Sequence, residues 1–102
     1  METDAFIDSG AENSLFNGAF AHSLGIDLLD GRPKVYVGIG GNQIDARIHG
    51  VKISNPDIGE FALDVGFSTS QISRNLLGRD FFNLVQIGFR ERQLSFMITP
   101  EP

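Results

Sequence analysis

Apolar residues recur along this chain with two periods. From Phe61 to Phe67, the residues Phe61, Leu63, Val65 and Phe67 alternate with Ala62, Asp64 and Gly66. That two-residue period belongs to a strand with one buried face. Lys34–Ile39, "KVYVGI", reads as another strand and runs into Gly40-Gly41-Asn42, a hairpin-type turn. The return arm places Ile44, Ala46 and Ile48 in one phase, then Val51 and Ile53 in the other. Gly50 stands at the change, which predicts a bulge or bend there. "NPDIG" (55–59) is a turn and "STSQISR" (68–74) a polar link.

Helical spacing occurs twice. Phe16, Phe20 and Leu24 fall four apart and predict a short helix over 16–24, with Gly25 as its left-handed cap. "LLDGRP" (28–33) then turns the chain. Arg79–Val85 predicts a second short helix that buries some of Phe81, Phe82, Leu84 and Val85. Two short apolar runs remain: Ala5–Ile7 and "NLLG" (75–78), both read as strands. "QIGFRERQLSFMI" (86–98) predicts a closing hairpin with Leu94, Phe96 and Ile98 on one face. Several strands, two short helices and no long strand–helix–strand spacing predict a mostly β domain, closed or sandwich-like.

Composition narrows the function classes. With 102 residues, one domain over 1–102 is expected, with a modest core. Eight scattered Lys and Arg against a net charge of −5 leave no basic stripe for a phosphate backbone, so nucleic-acid binding is disfavoured. The absence of cysteine excludes disulfides, thiolate zinc sites and cysteine nucleophiles. No apolar run reaches membrane-spanning length, and "METDAFIDSG" has neither the basic start nor the apolar stretch of a signal peptide. A cytoplasmic location and no membrane partner are expected.

Candidate chemistry lies where Ala5–Ile7 runs into Asp8-Ser9-Gly10. A surface turn and a catalytic carboxylate share this pattern. A carboxylate delivered from a buried strand needs a neighbour, hydrogen bonds or a reaction. Gly38, Gly40 and Gly41 do not make a phosphate loop, because no Gly-Lys-Ser/Thr and no helix follow. His22 and His49 read as surface or edge histidines rather than a metal pair. Asp80, in the first turn of the second helix, suits a capping or dipole role better than catalysis.

Three stretches, "AFIDSGAENSLF", "VGIGGNQIDARIHG" and "NLLGRDFFNLVQIGF", stand in the order and rough spacing of the retropepsins. Over about residues 5–98 the chain resembles the retroviral-type aspartic peptidases and their cellular and bacterial relatives. The resemblance implies a retropepsin-like closed β barrel with two short helices. It implies that Asp8 is catalytic, that Ser9 braces the two active-site loops across a dimer and that Gly10 permits the turn. Ala11 and Glu12 would continue into the substrate cleft. Val37, Gly38, Ile39, Gly40 and Gly41, up to Asn42, would form the flap. Leu76, Leu77 and Gly78 would pack behind the catalytic loop, and Arg79 would pair with Glu12.

A chain with one Asp-Ser-Gly needs a second copy to complete a carboxylate pair, so the implied enzyme is a homodimer acting on an extended peptide, with no metal or cofactor. The match departs from the family in several ways, among them a C-terminal end longer than in the viral enzymes, whose "RQLSFMIT" would supply interface strands. Only seven residues precede Asp8, which predicts an N-terminally shortened domain. Ser9 replaces the commoner threonine, and the flap tip lacks an aromatic, Tyr36 lying just before it. The alternative expectation is a catalytically inactive retropepsin-fold module for dimerisation or peptide binding.

Overall fold

The computed structural model describes residues 2–38, 40–90 and 95–100, with side-chain surroundings described up to Val85. In chain order the elements are β1 (Phe6–Ile7), β2 (Leu15–Asn17), α1 (Ala19–Ser23), a 3₁₀ turn (Leu28–Asp30), β3 (Arg32–Val37), β4 (Gln43–Asn55), β5 (Gly59–Ser68), β6 (Leu76–Leu77), α2 (Arg79–Phe82), β7 (Val85–Arg90) and β8 (Ser95–Pro100). Six strands form one mixed sheet in the order β1-β6-β2-β5-β4-β3, and β7 pairs with β8 in a separate antiparallel hairpin. The expected mostly β architecture with two short helices is present. The expected closed barrel is not: among the described residues the sheet is open, with β1 and β3 at its edges. Strands of two or three residues at the β1-β6-β2 end are too short to curl round to β3.

The long hairpins follow the alternation. β4 and β5 pair in one unbroken register from Ala46↔Ser68 to Asn55↔Gly59. The predicted bulge at Gly50 is therefore absent, and Gly50 sits opposite Asp64. The change of apolar phase has another cause: the two faces of β4 are covered in turn. Ile44 and Ala46 lie opposite Tyr36 and Lys34 of β3 on one face. Val51 and Ile53 lie opposite Leu63 and Phe61 on the other, where they pack against the core.

That core centres on Phe16, Ala21, Val65 and Phe67, joined by Phe20, Ile26, Leu28, Leu63 and Leu77. Phe16 meets Phe67 edge-on at 6.1 Å between centroids. β3 starts two residues earlier than the pattern suggests and takes in Pro33. Gly38 N–H donates to Asn42 O at the hairpin end, so alternation makes Pro33↔Arg47 a non-hydrogen-bonded pair. Proline is tolerated on an edge strand for this reason.

The first helix is shorter than predicted. Phe16 belongs to β2, not to the helix, and Leu24 is exposed. Asn17 ends the strand by donating its N–H to Asn75 Oδ1 and accepting from Ala19 N–H through its own Oδ1, so helical bonding cannot begin earlier. Phe16 and Phe20 share the core from two elements, which imitates one helical face. The C-terminal end is as expected: Gly25 takes φ of 74°, with Gly25 N–H bonded to His22 O and Ile26 N–H to Ala21 O, a Schellman motif. The second helix covers Arg79–Phe82 rather than reaching Val85, which starts β7. The predicted closing hairpin is formed by β7 and β8, but Leu94 and the side chains of Phe96 and Ile98 lie outside the description.

Candidate active site

β6 lies between β1 and β2. It runs parallel to β1 (Phe6↔Leu76, Ile7↔Leu77) and antiparallel to β2 (Leu15↔Leu76). The segment from Asp8 to Ser14 must therefore arch over the end of β6. Asp8 N–H donates to Leu77 O at 2.9 Å, the last rung before the arch. The chain then turns at once, Ala11 N–H donating back to Asp8 O at 3.2 Å. Asp8 is half-buried and its Oδ1 accepts from Gly10 N–H at 2.9 Å, which orients the carboxylate. Oδ2 makes no hydrogen bond among the described residues. Ser9 and Gly10 are exposed at the crest of the turn.

α2 supports the arch from behind. Arg79 N–H donates to Ala11 O at 2.9 Å and Asp80 N–H to Glu12 O at 3.2 Å. This approach leaves no room at Gly78, where a Cβ would stand 2.7 Å from Ala11 O and 3.0 Å from the Asn13 carbonyl carbon. Arg79 and Glu12 pair at 3.3 Å, but both side chains are more than half exposed, so the pair contributes little stability.

The strongest fastening is at Ser14, which is fully buried. Asp80 Oδ2 accepts from Ser14 N–H at 2.9 Å, and Asp80 Oδ1 accepts from Ser14 Oγ–H at 2.7 Å and from Phe81 N–H at 2.8 Å. Ser14 Oγ in turn accepts from Gly78 N–H at 3.0 Å. Asp80 thus holds the first turn of α2, as its position suggested, and also clamps the end of the arch. Ser14 O accepts from two donors: Gly66 N–H of β5 at 3.1 Å and the Tyr36 hydroxyl of β3 at 2.9 Å. Burial pushes the Tyr36 phenol up to about 12, with the Asp80 carboxylate adding to the rise and a hydrogen bond from the Gly66 backbone opposing it.

Asn75 plays a similar part at the other side. Its Oδ1 accepts from Asn17 N–H, its Nδ2 donates to Asp4 O and Thr3 Oγ1, and its carbonyl accepts from Phe6 N–H. One 5 %-exposed side chain joins β2 to the segment that carries β1.

The structure thus brings Asp8, Gly10, Ala11 and Glu12 together with Leu77, Gly78 and Arg79. It does not join Val37, Gly38, Gly40 and Gly41 to them. Those residues form the exposed tip of the β3–β4 hairpin, and no hydrogen bond among the described residues links the tip to the Asp8 turn. Gly40 and Gly41 have φ of 91° and 84°, as a glycine hairpin requires. Ile39 lies outside the described residues. A cleft of 430 Å³ opens beside the hairpin base, with Asn13 and Asp80 on its wall together with Lys34, Tyr36 and Ile48.

Sequence reasoning missed Ser14 and Asn75 and gave Tyr36 no role. Ser14 and Asn75 each stand directly before an apolar pair, Leu15-Phe16 and Leu76-Leu77. A polar residue at the mouth of a buried strand was the available signal. His49 also proved structural: it bonds Leu28 O through Nε2 at 2.9 Å and meets Phe67 edge-on.

The model of one protein family, described as aspartyl protease, matches residues 2–81. The matched span contains the Asp8 arch, the β3–β4 hairpin and most of α2, and ends before β7. No curated protein and no solved structure gives a significant match. The chain belongs to the retropepsin-like aspartyl protease family.

Proposed function

We propose that this member of the aspartyl protease family is an aspartic endopeptidase that assembles its catalytic pair from Asp8 of two copies of the chain. The observation that carries the reading is the Asp8 turn itself. A strand delivers the carboxylate, Gly10 N–H orients one oxygen, and the crest at Ser9 and Gly10 is exposed, open to a second copy. The chain has a single Asp-Ser-Gly, so the second carboxylate comes from a two-fold partner. Ser9 braces the two turns across that axis.

Two carboxylates at such close quarters share one proton. The ionised one takes a proton from water as the water attacks the scissile carbonyl. The protonated one donates to the carbonyl oxygen, and the resulting diol collapses with proton transfer to the leaving nitrogen. Activity requires the singly protonated pair, so it falls at both lower and higher pH. The peptide lies extended between the β3–β4 hairpin and the arch, with alternate side chains directed into pockets such as the cleft at Asn13, Lys34 and Asp80.

The test is digestion of a peptide library at mildly acidic pH by wild type and by Asp8→Asn, with and without pepstatin, alongside sedimentation at micromolar concentration. The expected result is a dimer whose pepstatin-sensitive cleavage drops about 10³-fold in Asp8→Asn, in keeping with lost acid–base catalysis. A strictly monomeric protein overturns the shared site. A dimer without Asp8-dependent cleavage overturns the enzyme and leaves a peptide-binding or dimerisation module.

A further inference from the structure

The single tyrosine of the chain bridges two parts of the molecule that are distant in sequence. Tyr36 is the last residue but one of β3, immediately below the hairpin tip. Its hydroxyl crosses the sheet to Ser14 O, in the segment that leaves the Asp8 arch. The ring lies over Gly66 of β5, where a side chain would collide with the phenol ring carbon Cε1 at 2.8 Å. Gly66 N–H donates to the same Ser14 carbonyl. Ser14 is in turn clamped by Asp80 through both its N–H and its Oγ. Hydrogen bonds thus run without a break from β3 through Ser14 and Asp80 to α2, which holds Ala11 and Glu12 of the arch.

Tyr36 is the one residue of β3 that is not exposed, with Arg32 to Val35 before it and Val37 after it all open to solvent. Tyr36 is partly buried, whereas Val37 is 69 % exposed and the tip beyond it is exposed. The ladder below Tyr36 belongs to the sheet. Above it, the described bonds of the tip are local, Gly38 N–H to Asn42 O and Gly41 N–H to Gly38 O.

We propose that Tyr36 is a positioning residue for peptide binding: its phenol pins the base of the β3–β4 hairpin to the arch that carries Asp8 and so sets the height of the hairpin over the cleft. The proposal rests on the peptidase reading but predicts a physical coupling that exists with or without catalysis. Tyr36 does not touch the reacting atoms. Without the pin, the hairpin base occupies its binding position for less of the time, and peptide affinity falls by that fraction. A bound peptide restores the position, so turnover at saturation is preserved. The signature is a raised KM with unchanged kcat.

The experiment compares Tyr36→Phe with wild type by peptide hydrolysis and by amide hydrogen exchange of the intact protein. Loss of one hydrogen bond of ordinary strength corresponds to about a fivefold change in an equilibrium. The expected result is a KM raised by up to about fivefold with kcat within about twofold. Exchange is expected to rise by a similar factor at Ser14, Gly38 and Gly66, and to stay unchanged at Val51 and Leu63 in the β4–β5 ladder. A purely structural role would lower apparent kcat at constant KM, or raise exchange uniformly, and either result overturns the proposal. If wild type cleaves no peptide, the peptidase reading fails by itself. Exchange then decides whether the pin exists: local loosening at both Gly38 and Ser14 supports it, and no change at either refutes it.

Discussion

At one end of the sheet β3, β4 and β5 run for six, thirteen and ten residues and are held by their own ladders. At the other end β1, β6 and β2 run for two, two and three. Ladders that short hold little by themselves. Their place is taken by buried and half-buried polar side chains: Asn75 joins β1 to β2, and Ser14 with Asp80 joins the arch to α2. The long-strand end therefore depends on apolar burial and backbone pairing, which tolerate many side chains. The Asp8 end depends on particular atoms at particular positions. On the proposed peptidase reading this division is useful, because a carboxylate must be held to a fraction of an ångström while a hairpin that admits a peptide must not.

Substitutions on either side of the division should separate the two modes. The largest effect is expected at the long-strand end. Phe67 is fully buried between Phe16 and His49, and Phe67→Ala should cost about 4 kcal/mol through lost burial and the cavity left behind. Chemical denaturation should show a lower midpoint at unchanged slope, and loss of the slope as well would mean that the core no longer unfolds as one unit.

At the Asp8 end, Asp80→Ala removes the acceptor of Ser14 N–H, Ser14 Oγ–H and Phe81 N–H together. Ser14 is out of reach of water, so about 2–3 kcal/mol should be lost. Asp80→Asn, which keeps one acceptor oxygen, should lose less. Equal losses in the two variants would show that packing rather than hydrogen bonding holds this end.

The smallest effect is at the link between the ends. Tyr36 keeps its proton to about 12 when folded and releases it at about 10.0 when unfolded. Between these values the unfolded chain binds fewer protons than the folded one, so stability is fully present below the lower value and falls as pH rises through the window. About 1 kcal/mol should be gone by about pH 11, and Tyr36→Phe should not show this loss. Tyr36 is the only tyrosine and there is no tryptophan, so the near-ultraviolet absorbance of tyrosinate follows this group alone. A midpoint near 10 in the folded protein would show that the phenol is not held as described.

The β3–β4–β5 end was readable because alternation reports burial directly. Phe61, Leu63, Val65 and Phe67 announced their strand, and Gly40-Gly41 announced the turn. The expected bulge at Gly50 was wrong because alternation cannot distinguish a kinked strand from a straight one covered on each face in turn. The Asp8 end was readable only as motif. Asp8-Ser9-Gly10 and Leu76-Leu77-Gly78 pointed to the family, which the match over 2–81 shows. The fastening around them was invisible, because Ser14 meets Asp80 across sixty-six positions and Asn17 meets Asn75 across fifty-eight. Phe16 misled for a related reason: its fourfold spacing to Phe20 joins two elements that meet in one core.

From residue order alone come the mostly β class, the hairpin, the carboxylate turn and the family, since each is written in local spacing or in short motifs. The open sheet, the start of α1 and the roles of Ser14, Asn75, Asp80 and Tyr36 come from the folded arrangement. They depend on which buried donor finds which acceptor, and those partners are chosen by the packing of segments that lie far apart in the chain.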